Sequence, residues 1–201
     1  MRSALPPRPY TSIIEELTQL ARSRLSGARF EHVTRTSLLM RELCEGRRLD
    51  PNRGEIAGLG HDLYRESPAE EVRETAGRDS LPIHEWELQE PLLLHGRAAA
   101  VLLRERFAIS DESILEAVRW HTTGFPGMGE LAKLLFIADY IEPGRMNVNH
   151  DVRVRVRSTS TDEGVLIILK ETAAYLEAVG KPVVAPTAAL YSELIEAERR
   201  A

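Results

Sequence analysis

His61 and Asp62 close the run Ile56-Ala57-Gly58-Leu59-Gly60, where a core helix should end in apolar side chains. A buried imidazole beside a buried carboxylate is costly without a partner, and a metal ion satisfies both. Other polar residues lie on apolar helical stripes in the same way. His32 shares a face with Thr36, Leu39 or Met40, and Leu43, while His95 continues into Ala98, Ala99 and Leu102. His121 ends the stripe Ile114, Ala117, Val118, and Asp139 follows Leu131 and Leu135 at helical spacing. Residues so spaced share one helical face, which places all six side chains toward the interior.

A lone inward histidine is ordinarily a core residue bonded to a carbonyl. Six such groups from five segments change the balance, because each unpaired one would cost roughly several kcal/mol. Shared coordination removes that cost together. The one cysteine, Cys44, lies in an apolar helical stretch and reads as core. The lack of a thiolate placed to join argues against a closed structural zinc site, and mixed imidazole and carboxylate ligands suit iron, manganese, cobalt or catalytic zinc. Six side chains exceed the needs of one ion that keeps a position for water. Two ions sharing a bridging carboxylate would use them all, and Asp62, in the middle of the set, is the natural bridge. Gly58 and Gly60 would let neighbouring helices approach closely enough to share the ions.

The elements that must position these residues read as helices. Ser12 and Glu15 have capping-box spacing before Leu17, Leu20, Ala21 and Leu25, which predicts a helix over about 12–25 that Gly27 ends. A second spans about 28–45. Asp50 and Pro51 open a third, which carries His61-Asp62 near its end. A short helix near 69–75 leads into a loop reaching about residue 90. Helices follow at about 91–106, 111–121 and 130–141, then at about 162–179 and 187–199. Val152-Arg153-Val154-Arg155-Val156-Arg157 alternates like a strand, but also fits a helix with Arg153 and Arg157 on one side. The expectation is an all-α chain with one domain over 1–201 and a core over about 27–145.

Composition fits that reading. The 201 residues are 43% hydrophobic, 28% charged and only 5% aromatic, as a helical core of Leu, Ile, Val and Ala requires. The net charge of -5 provides no global positive field for nucleic acid. No stretch is apolar enough to cross a bilayer, and residues 1–7 hold no signal-like run. The single cysteine excludes an intrachain disulfide. A cytoplasmic protein is therefore expected, with no nucleic-acid or membrane partner. His84 and His150 read as surface residues, and Trp86 and Trp120 as packing.

His32, His61-Asp62 and Asp139 together resemble the signature of HD-domain metal-dependent phosphohydrolases. Arg29-Phe30-Glu31-His32, Leu94-His95-Gly96, His121-Thr122-Thr123-Gly124 and Ala138-Asp139-Tyr140-Ile141-Glu142-Pro143-Gly144-Arg145 resemble its YqeK-type branch, the symmetrical diadenosine-tetraphosphate hydrolases. That resemblance implies an HD helical bundle and cleavage of diadenosine tetraphosphate into two ADP. It implies two divalent or trivalent metal ions, iron first, with manganese or cobalt as alternatives. Carried over by position, the ligands are His32, His61, Asp62, His95, His121 and Asp139. Gly60, Arg65 and the stretch after Arg145 depart from the family's usual pattern.

Transferring a phosphoryl group also requires fixed positive groups. Arg145, after the Pro143-Gly144 turn, is the first choice, since its planar fork can grip two phosphate oxygens. Arg65, one turn beyond Asp62, is the second. Thr122, Thr123 and Gly124 could cradle a phosphate with amides and hydroxyls, or simply end a helix. Arg29, almost one turn before His32, would order a phosphate or pair with a ligand carboxylate. Alternative readings are a nucleotide phosphomonoesterase with the same ions and a nucleotide-binding module that does not turn over. The oligomeric state stays open, a homodimer being one option.

Overall fold

The computed structural model describes residues 8–200, which leaves residues 1–7, read above for a signal sequence, outside them. Eleven α-helices run through these residues: α1 (Tyr10–Arg24), α2 (Gly27–Gly46), α3 (Pro51–Gly60), α4 (Ala69–Ala76), α5 (Glu85–Gln89), α6 (His95–Phe107), α7 (Glu112–Trp120), α8 (Glu130–Ile141), α9 (His150–Ser158), α10 (Thr161–Ala178) and α11 (Ala185–Glu198). A 3₁₀ turn at Pro91–Leu94 leads directly into α6. There is no strand among the described residues, and none of their helices is long and apolar enough to cross a membrane.

Side-chain caps set several of the starts. Asp50 accepts from the Asn52 amide at 2.9 Å with Pro51 in the first turn, and Asp111 accepts from Ser113 at 3.1 Å. Two expected boundaries shift. The α1 helix begins at Tyr10 after Pro9, so Ser12 is inside it and its hydroxyl donates to the Pro9 carbonyl at 2.9 Å. Gly27 starts α2, capped by Ser26, rather than ending α1. The expected loop before residue 90 contains the short helix α5, where the Glu87 side chain accepts from the His84 amide at 2.8 Å.

The alternating Val-Arg segment is helix α9, opened by Asn149 accepting from Asp151 at 2.9 Å. The valines sort at helical spacing: Val156 is 4% exposed and Val152, one turn earlier, is partly buried against the core, while Val154 is 52% exposed. An edge strand would have to bury a whole alternating face. Arg153 lies instead across the preceding loop and donates to the carbonyls of Ile141, Val148, Glu142 and Arg145.

Helix α3 is central and packs against α1, α2, α7 and α8. Its approach to α2 is so close that a Cβ at Gly58 would lie 2.5 Å from the Cα of Ser37. Any other residue would force the two backbones apart. Gly60 faces only the tip of Leu103 at 3.0 Å. Ile56, Ala57, Met40, Leu135 and Val165 are buried in the core around this contact. Cys44 belongs to it too, and burial pushes its thiol up to about 11. His84 and His150 are exposed as expected.

Candidate metal centre

Each of the six sequence-derived residues stands at or near the end of a helix, where the chain can change direction. His61 is the residue that follows α3, and Asp62 begins the turn beyond it. His121 stands in the same place after α7. His95 opens α6 after the Pro91–Leu94 turn. Asp139 is in the last turn of α8, and His32 is in the second turn of α2. His61 is fully buried and the other three imidazoles are nearly so.

All six converge. On one side, His32 Nε2 lies 3.0 Å from Asp139 Oδ1 and 3.3 Å from His61 Nε2. Asp62 Oδ2 is 3.7 Å from His32 Nε2 and 3.6 Å from His61 Nε2. On the other side, Asp62 Oδ1 is 3.0 Å from His95 Nε2 and 3.6 Å from His121 Nε2. The two latter nitrogens are 3.0 Å apart. The carboxylate of Asp62 therefore gives one oxygen to each half of the cluster.

The far nitrogens decide what these rings present. His61 Nδ1 and His121 Nδ1 each lie 2.8 Å from a carbonyl three residues back, those of Gly58 and Val118. His95 Nδ1 meets the Leu92 carbonyl in the same register. A carbonyl oxygen only accepts, so the proton sits on Nδ1 and the Nε2 lone pair faces inward. Lone pairs and carboxylate oxygens thus crowd together with little to donate between them. Such a donor set calls for a cation, and without one protons must take its place. Asp62 and Asp139 accordingly lie well below the usual carboxylate range: burial pushes them up, but facing imidazoles outweigh it, with Arg145 adding to the effect at Asp139. Burial lowers His95. Burial also opposes charge on His32, but Asp139 and Glu142 outweigh it and raise that imidazole.

Helix proximity makes the second half possible. A Cβ at Gly96 would come within 2.7 Å of the Val118 carbonyl and 3.1 Å of His121 Nδ1. Only glycine lets the first turn of α6 touch the last turn of α7 and bring their histidines together.

Glu142 is a participant that sequence reasoning named only inside a motif. It is 1% exposed, and its Oε1 lies 3.1 Å from His32 Nδ1. Its other oxygen accepts from Arg35 Nε and from the Gly144 amide, both at 2.6 Å. His32 is thus the one imidazole of the four whose outer partner is a carboxylate, the arrangement that orients metal-ligating histidines and makes them more basic. Its signal in the sequence is the spacing from Asp139, one helical turn earlier.

The candidate substrate residues separate by position. Arg29 donates to Asp62 Oδ2 at 2.8 Å, pairing with a ligand carboxylate. Arg145 donates Nε to the Asp139 carbonyl at 3.0 Å and reaches its carboxylate as well. Both guanidinium groups remain partly exposed at the rim of the cluster. Arg65 is half-buried and holds no carboxylate among the described residues. Thr122 is exposed, with its hydroxyl 3.0 Å from His121 Nε2. Thr123 is buried and its carbonyl accepts from Thr187 at 2.7 Å, while the Gly124 amide donates to Trp120 at 2.7 Å. Those two close the helix end, so Thr122 is the member of the trio facing the centre.

The sequence matches the HD domain profile over residues 29–144, the span that contains all six residues. It is 31% identical over 181 residues to the symmetrical bis(5'-nucleosyl)-tetraphosphatase of Bacillus subtilis, covering 90% of this chain and 97% of that protein. The protein of the same name in Halalkalibacterium halodurans is 32% identical over 178 residues, covering 88% and 94%. A crystal structure from Clostridium acetobutylicum, described as a "predicted HD superfamily hydrolase involved in NAD metabolism", superposes with a TM-score of 0.87 at 26% identity, covering 96% of this chain and all of that one. Motif, geometry and whole-chain likeness agree, and the chain belongs to the HD domain family.

Proposed function

We propose that this chain is a metal-dependent hydrolase that cleaves diadenosine tetraphosphate symmetrically into two molecules of ADP. The observation that carries this is the division of Asp62, whose Oδ2 faces His32 and His61 while Oδ1 faces His95 and His121. One pocket would then be made by His32, His61, Asp62 and Asp139, and a second by Asp62, His95 and His121. The imidazole and carboxylate set suits iron, manganese, cobalt or catalytic zinc, and the resemblance to the YqeK-type branch puts iron first. When bound, a pair of such ions lowers the pKa of a coordinated water and neutralises charge on phosphoryl oxygens. The symmetrical bis(5'-nucleosyl)-tetraphosphatases among its relatives support the substrate.

The protein's own groups do the rest. His61, His95 and His121 are held by their backbone partners with Nε2 inward, so their geometry is set before a substrate arrives. Arg145 and Arg29 stand at the rim, where a polyphosphate enters. Each can exchange its present carboxylate for phosphate oxygens as charge builds there. Arg65 is free to take a more distant phosphate. The Thr122 hydroxyl, next to His121, can donate to an oxygen on the His95 side. The leaving group is ADP, a stable anion, so no strong general acid is needed.

Product analysis tests the proposal. Purified protein loaded with iron, manganese or cobalt is given diadenosine tetraphosphate, and the products are resolved by chromatography. ADP alone is the expected result. AMP with ATP would overturn symmetrical cleavage, and release of inorganic phosphate from mononucleotides in its place would indicate a phosphomonoesterase.

A further inference from the structure

Between α4 and α6 lies a buried carboxylate that the chemistry above does not use. The Asp79 side chain is fully buried, in a stretch whose sequence reads only as a polar loop. It accepts from arginines on two different helices. Arg119 of α7 grips it as a fork, with Nε 2.8 Å from Oδ2 and Nη2 3.1 Å from Oδ1. Arg97 of α6 donates Nε to Oδ2 at 3.2 Å. Arg97 is itself fully buried, and its remaining N–H groups go to Glu87 at 2.7 Å, to the Pro82 carbonyl at 2.9 Å and to the Leu81 carbonyl.

The positions of the two arginines give this cluster its meaning. Arg97 comes two residues after His95, and Arg119 comes two residues before His121. The Nε2 atoms of those histidines stand 3.0 Å apart. One carboxylate therefore ties together the two helix ends that make the second pocket. Apolar packing alone lets helices slide, whereas a bidentate arginine–carboxylate pair fixes direction as well as distance. Burying such a group is not in itself a source of stability, since the desolvation of its charges offsets their attraction. Its gain is geometric.

We propose that Asp79, acting through Arg97 and Arg119, is a positioning residue that sets the separation of His95 and His121 and thereby the affinity of the second ion. This rests on the reading of His95 and His121 as ligands. The first pocket is held by other means, the α2–α3 backbone contact at Gly58 and the Glu142 contact to His32. Disturbing Asp79 should therefore act on one pocket and spare the other.

The test is a cobalt(II) titration of the metal-free full chain, read by visible absorption and equilibrium dialysis, with helix content followed by circular dichroism. Wild type is compared with Asp79→Asn and Arg119→Lys. Arg119→Lys keeps a positive charge beside Asp79 and loses only the fork, so it serves even where the Asn variant does not fold. The expected result is a folded variant whose second ion binds about 10- to 100-fold more weakly, with the first unchanged. Activity should recover at high cobalt, which a general loss of structure would not allow. Unchanged binding of both ions, or equal weakening of both, would overturn the proposal. A wild-type chain that binds only one ion would instead refute the two-pocket reading beneath it.

Discussion

Asp62 is the residue on which the two halves of the cluster depend. Replacing it with Ala should remove at least one ion and abolish turnover, and full metal occupancy in that variant, by elemental analysis, would reject the bridging role. Arg145 differs, since it touches Asp139 from the rim. Arg145→Ala should keep its metals while kcat/KM falls by an amount equivalent to about 2–4 kcal/mol of transition-state stabilisation, as for other single electrostatic donors. Unchanged kinetics would remove it from the mechanism. The imidazoles also predict an order of protonation. His32 is raised and His95 lowered from the ordinary value, so as pH falls His32 takes up a proton first. Protons compete with metal for the same lone pair. In the metal-free chain the His32 ring should thus take up its proton at higher pH than the His95 ring, which an NMR titration of the imidazoles would reveal. Protonation of His95 first would contradict it.

At the scale of elements, the helices that carry ligands announced themselves through their period. His32, His95, His121 and Asp139 were readable because apolar neighbours at helical spacing fixed their faces. The segment holding Asp79 has no such period, and its partners Arg97 and Arg119 come from elsewhere in the chain, so nothing local distinguished it from solvated loop. Glu142 was hidden for a related reason: an acid just past a helix end reads as a solvated side chain until His32 is seen across from it. The α9 helix was ambiguous because Val and Arg alternate, and it is settled by Val152 and Val156 lying against the core while Val154 does not. Contact between α2 and α3 gives an element-scale prediction. A methyl at Gly58 would meet the Ser37 backbone, so Gly58→Ala should destabilise the fold by about 1–3 kcal/mol or more, measured by denaturant unfolding. A stability equal to wild type would mean that the helices separate freely.

For the whole molecule, the cluster joins α2, α3, α6, α7 and α8, which are distant in sequence. An ion held there binds only the folded chain, and at a free concentration one hundred times its Kd it adds about 2.7 kcal/mol. Chelation should therefore lower Tm by roughly 5–10 °C per ion in a chain of this size, as scanning calorimetry would show. No change in Tm would place the ions outside the folding equilibrium. The outer partners of the four imidazoles carry one more consequence, for which of them can be tuned. A backbone carbonyl can hold a proton donor in place but cannot receive that proton, so the rings of His61, His95 and His121 are closed at their far ends. His32 alone abuts a group with its own acid–base chemistry, Glu142, which leans on the partly exposed Arg35. Of the four rings, only that one has an outer partner whose charge can change, so the basicity of its inward nitrogen follows the state of Glu142 while the other three are fixed by backbone.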